Sequence, residues 1–112
     1  MTPQTSGNRT DGDAYELLRL AIARKQPLMA VYDDRRRLLC PHVLGRKSGQ
    51  LRVLCYQFGG GSNSTSGEVA GWRCFAVGKL SQLEWSEESW HTGPRSGTQT
   101  CVDEVAFDTD TQ

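Results

Sequence analysis

No segment of the 112-residue chain approaches the run of about 20 apolar residues that a membrane-spanning helix needs. The longest stretch without a charge, from Val53 to Gly67, ends in a Gly/Ser-rich run. The sequence also lacks a Cys-x-x-Cys pair, a Gly-Lys-Ser/Thr phosphate-loop ending and any internal repeat. Standard zinc ribbons and P-loop nucleotide chemistry are thereby set aside. Net charge is missing too: 13 basic side chains balance 13 acidic ones. Taken over the whole chain, that balance argues against a nucleic-acid partner. At this length there is material for one small domain with one core, which excludes a multidomain enzyme.

The average hides an asymmetry. Residues 24–52 carry Arg24, Lys25, Arg35, Arg36, Arg37, Arg46, Lys47 and Arg52 against only Asp33 and Asp34. Residues 84–112 carry Glu84, Glu87, Glu88, Asp103, Glu104, Asp108 and Asp110 against only Arg95. The chain is a charge dipole along its length, and a fold that joins the two ends would cover the basic part with the acidic one.

The first residues, MTPQTSGNRTDGD, have neither a basic nor an apolar signal region, so a cytoplasmic location is expected. In a reducing cytosol Cys40, Cys55, Cys74 and Cys101 should be free thiols or ligands and not disulfides.

By composition 1–12 is a disordered leader. Asp13 is placed to cap a helix, with Glu16 three residues on reaching back in a capping box. Ala14, Leu17, Leu18, Ala21 and Ile22 form one apolar stripe, and Pro27 stops the helix near Lys25. After it the pattern is β. Strands are expected over 28–32, 36–46, 50–58 and 72–77, with a turn at Asp33-Asp34 and another at Lys47-Ser48-Gly49. The Gly/Ser stretch 59–71 reads as a loop, Gly78 permits a bend, an extended or turn-rich segment follows near 80–85, and 100–107 is a last strand after the 92–97 loop. The expected domain is 13–107, with 108–112 as an acidic tail. One helix and five to six short strands are too few for a comfortable sandwich. They predict a mainly β fold with one N-terminal helix, a small, strongly bent, partly closed barrel.

Several strings, in this order, resemble the WYL domain, a small Sm-like β-barrel. The helix ends in AIARKQPL, the next strand ends in Tyr32, a basic strand carries Pro41, His42, Val43 and Leu44, and Phe75 to Leu80 reads Phe-Ala-Val-Gly-Lys-Leu. At the triplet that gives the family its name stand Leu51, Arg52 and Val53, so the Trp and Tyr are absent. The resemblance spans about residues 14–85. It implies a non-enzymatic regulatory module that senses nucleic acid or nucleotide-like ligands in bacteria.

The residues themselves point to an anionic ligand. Arg35, Arg37, Arg46, Arg52, Arg73 and Lys79 are interleaved with Tyr32, Tyr56 and Phe75. Single-stranded nucleic acid needs guanidinium for phosphate and a ring face for a base. Arg52, Arg73 and Lys79 are the expected phosphate ligands, with Tyr56 stacking on a base. The competing reading is a solvated turn at 35–37 and acidic residues pairing with the rest. A second set, Cys40, His42, Cys74, His91 and Cys101, reads as core packing, with a four-ligand zinc site or a Cys/His nucleophile as alternatives. No cofactor is implied. Self-assembly through strand edges and opposite-charge ends is the alternative to ligand binding.

Overall fold

The computed structural model describes residues 11–60, 71–93 and 99–109. The expected leader up to residue 10, the centre of the 59–71 loop, most of the 92–97 loop and the last three residues of the acidic tail lie outside the described residues.

The helix α1 spans Asp11–Arg24. It starts before Asp13, so Asp13 lies inside the first turn and is not its cap. Glu16 does not reach back; its carboxylate pairs instead with Arg19 one turn on, which holds its pKa below the ordinary range. Ala14, Leu18, Ala21 and Ile22 are buried as the stripe predicts, and each large aliphatic side chain buried there stabilises by about 1.5–3 kcal/mol. The helix closes without a glycine. Lys25 takes the left-handed conformation (φ 51°), Gln26 N donates to Ala21 O at 3.1 Å and Lys25 N to Ile22 O at 3.4 Å, before Pro27 turns the chain away.

Among the described residues six strands follow: β1 Leu28–Tyr32, β2 Arg35–Lys47, β3 Gln50–Gly60, β4 Gly71–Ala76, β5 Ser81–Trp85 and β6 Glu104–Asp108. Val77–Lys79 is a single 3-10 turn where Gly78 predicts a bend. Two tight hairpins fix the register. Asp33 and Asp34 both have positive φ between the paired Tyr32 and Arg35, and Ser48 and Gly49 do the same between Lys47 and Gln50, the two-residue turns that match strand twist. The sheet is antiparallel throughout, in the order β4-β3-β2-β1-β5, with β6 paired to β2. It is not closed: β4 and β5 stand at its two ends.

Strand β2 organises the sheet. One edge pairs with β3 from Arg37 to Lys47. The other edge serves two partners, β1 at 35–39 and β6 at 43–46. Pro41, which has no N–H to give to a ladder, sits in the interval between those partners, beside a register shift. The main core lies on the helix side, where Leu28, Leu39, Leu44, Val53, Phe75, Val77 and Leu83 meet α1. A smaller cluster of Val43, Leu54, Cys101 and Val102, with Trp72 against it, fills the opposite face under the C-terminal segment.

The expectation that all four cysteines are free is overturned for two of them. Cys74 and Cys101 form a disulfide with Cα atoms 5.6 Å apart, while Cys40 and Cys55 are free and buried. Nothing in the cysteine spacing marks this pair. It follows from β4 and the C-terminal segment meeting on one face. Closing a loop of 27 positions restricts the unfolded chain by about 3.5 kcal/mol.

The C-terminal segment approaches β2 so closely that Gly45 has no room for a side chain: a Cβ there would lie 2.0 Å from Glu104 O and 2.5 Å from Val102 Cγ1. Gly45→Ala should therefore lower the denaturation midpoint by an amount equivalent to about 1–3 kcal/mol and increase amide exchange at 102–108. Unchanged exchange over those residues would contradict the packing described.

Candidate functional site

The Ser48-Gly49 hairpin carries cations on both sides. On the helix side an open cavity of 690 Å³ is lined by Tyr15, Arg46, Gln50, Leu51, Ala76 and Lys79, among others. Among the described residues its lining holds two cations and no carboxylate. Arg46 Nη1 donates to Gly49 O at 3.0 Å, which fixes the guanidinium stem against the turn. On the other side a cavity of 370 Å³ is lined by Lys47, Gln50, Arg52, Thr100 and the Cys74–Cys101 pair. There Lys47 Nζ donates to Thr100 O at 2.6 Å.

The seven residues expected to form one ligand site are dispersed. Arg46 and Lys79 share the larger cavity, and Arg52 lies in the smaller one. Arg35 is exposed at the far end of β2. The pairing of β3 with β4 puts Arg52 and Tyr56 on the face of Trp72 and Cys74, and Arg73 on the face of Phe75 and Val53. Arg52 and Arg73 therefore cannot grip one phosphate, as expected from the sequence, because the sheet lies between them. Tyr56 is half-buried, its ring edge-on to Trp72 at 5.2 Å.

Arg37 differs from its exposed neighbours Arg35 and Arg36. It is 7% exposed, its Nε donates to Tyr32 O and its Nη1 to Gln57 Oε1, both at 3.2 Å. It lies over the rings of Tyr32 (5.6 Å) and Phe75 (5.8 Å). Burial first, and then the charge of Arg73, holds its pKa below the ordinary value. Arg37 is thus a tie between β1, β3 and the core. Arg73 Nε and Arg52 Nε are buried without a hydrogen-bond partner.

Comparison with family models, curated proteins and solved structures gave no match. What the site can do is therefore read from its own geometry.

The Cys/His set does not assemble a metal centre. Cys74 and Cys101 are bonded to each other, and among the described residues no group of three or more potential metal ligands converges. His42 is buried between Trp72 (4.6 Å) and Trp90 (4.9 Å). Its Nδ1 donates to Cys40 O at 2.7 Å, which leaves Nε2 at 2.9 Å from the Thr92 hydroxyl. Cys40 accepts from His91 N at 3.2 Å. Burial pushes the Cys40 thiol up to about 11, against the opposing pull of that N–H, and pushes Cys55 well up as well. Both are buried thiols, and for Cys40 this agrees with the core-packing reading.

Tyr15 and Gln50 are not among the residues that the sequence marks for a ligand, whereas Lys47 belongs to its basic stretch. Tyr15 carried a usable signal, since it lies off the helix's apolar stripe.

The raised thiols make stability fall in alkali. A buried neutral thiol contributes fully below its unfolded value, and the contribution is lost as pH rises through the folded one, so the loss attributable to Cys40 should run from about 9 to about 11. Urea titrations of wild type and Cys40→Ala across that range should show the steeper decline in wild type; parallel curves would contradict it.

Proposed function

We propose that the chain is a non-enzymatic regulatory or sensing module, an Sm-like barrel of WYL type, that binds an anionic ligand, most simply single-stranded nucleic acid or a nucleotide. The observation that carries this reading is the pairing of Arg46 and Lys79 in one open cavity with Tyr15, where no carboxylate lines it among the described residues. The two cations supply phosphate contacts and the half-buried phenol ring a surface for a base. Gln50 adds an amide that can accept from or donate to a base edge. A single N-terminal helix, the strand order β4-β3-β2-β1-β5 and the 3-10 turn that links the two end strands support the barrel reading. Among the described residues no helix is long and apolar enough to cross a membrane.

Among the described residues the acidic C-terminal part contributes no lining residue to this cavity; it docks through the β2 ladder, Val102 in the smaller cluster and the disulfide.

A second reading, self-assembly, is favoured by the strand edges left at β4, β5 and β6 and by Val105, half exposed on β6.

Fluorescence anisotropy with a labelled oligonucleotide at two salt concentrations tests the first reading. Lys79→Glu combined with Arg46→Gln should reduce affinity at least tenfold, and losing two phosphate contacts should flatten the log–log salt slope by about 1.4. Arg73→Gln, which does not line this cavity, should bind like wild type. Equal binding by all three would exclude this cavity, and concentration-dependent sedimentation without oligonucleotide binding would favour assembly.

A further inference from the structure

The disulfide is asymmetrically placed. Cys74 is exposed on β4, whereas Cys101 is 6% exposed, tucked among Val43, Leu54 and Val102. The bond borders the smaller cavity, whose charged side chains are Lys47 and Arg52. Arg52 Nε is buried there without a hydrogen-bond partner. A solvent-reachable sulfur beside two cations is what an incoming thiolate needs, since positive charge stabilises both the attacking and the departing sulfur anions.

We propose that Cys74 is a thiol-exchange site for a small anionic thiol, with the basic cavity as its entry. The thiolate attacks Cys74 Sγ, forming a mixed disulfide there as the Sγ–Sγ bond breaks. Cys101 leaves with the electron pair and takes a proton from solvent. A second thiol then attacks the mixed disulfide, leaving Cys74 reduced and releasing the small molecule as its own disulfide. Two thiols are oxidised for each protein disulfide reduced. With the bond open, the segment 99–109 keeps its β2 ladder, the Lys47 to Thr100 hydrogen bond and the burial of Val102, and loses its only covalent tie to β4. A reducing cytoplasm would supply such a thiol, so the site also reconciles a disulfide with that compartment. The inference stands apart from the anion-binding cavity on the other side of the hairpin.

The test uses the full chain in its oxidised form. Exchange rates are measured with glutathione, which is anionic, with uncharged 2-mercaptoethanol and with cationic cysteamine, each scaled to its thiolate concentration. Alkylation of the freed cysteine and peptide mass mapping locate the mixed disulfide. Glutathione should react about fivefold or more faster than the uncharged thiol at low salt, with its adduct on Cys74 and the alkyl label on Cys101, and high salt should erase the preference. In Lys47→Gln/Arg52→Gln the preference should vanish while the disulfide still forms. If that variant does not fold, the salt series on wild type decides. Adducts on Cys101, equal rates for the three thiols, or exchange only in denaturant would each overturn the proposal.

Discussion

The fold depends on one strand having three neighbours. Strand β2 holds β3 along one edge and divides the other between β1 and β6, and the division falls at Pro41. A proline in a central strand costs a ladder bond wherever a partner expects its N–H; here it stands where neither outer partner is in register. The arrangement explains why β2 is buried from Leu39 through Gly45 and why apolar residues of both parities are needed there. It also sets the charge layout. The basic residues near the end of β2 are placed beside the C-terminal segment by backbone pairing and the disulfide, so the dipole read along the chain becomes a neighbourhood in space.

The elements were legible because their signals are local. The i, i+3, i+4 stripe of α1, the Asp33-Asp34 and Ser48-Gly49 turns and the apolar run of β3 each follow from a few adjacent residues. The start of α1 was less so: Asp13 looks like its cap, but the helix already includes Asp11. Strand β6 is shorter than its alternating pattern suggests, because residues 99–103 spend their hydrogen bonds on a turn: Gln99 bonds Val102 at both its N–H and its carbonyl, and Asp103 N donates to Arg46 O.

The site was legible in composition and not in arrangement. That cations and rings concentrate on these strands is plain from the sequence, but which face each occupies depends on pairing register. Arg52 and Arg73 look equivalent on neighbouring strands, yet Val53 opposite Phe75 fixes them on opposite sides. Arg37 looks like its neighbours in a basic run and is instead swallowed by Tyr32, Gln57 and Phe75. The disulfide was hidden for the same reason: a contact between residues 74 and 101 is a property of the sheet's outer face, and no spacing rule encodes it.

The split edge of β2 bears on the order in which the chain acquires structure. Residues 28–60 are joined by two tight hairpins and can zip locally, whereas the ladder from 43–46 to 104–108 closes a separation of about 60 residues. During synthesis the outer edge of β2 beyond Pro41 therefore stands unpaired until the last strand has left the ribosome, an interval in which it is open to any passing strand. Gly45, with its bare backbone at the centre of that edge, is the place where such a substitute would dock most easily.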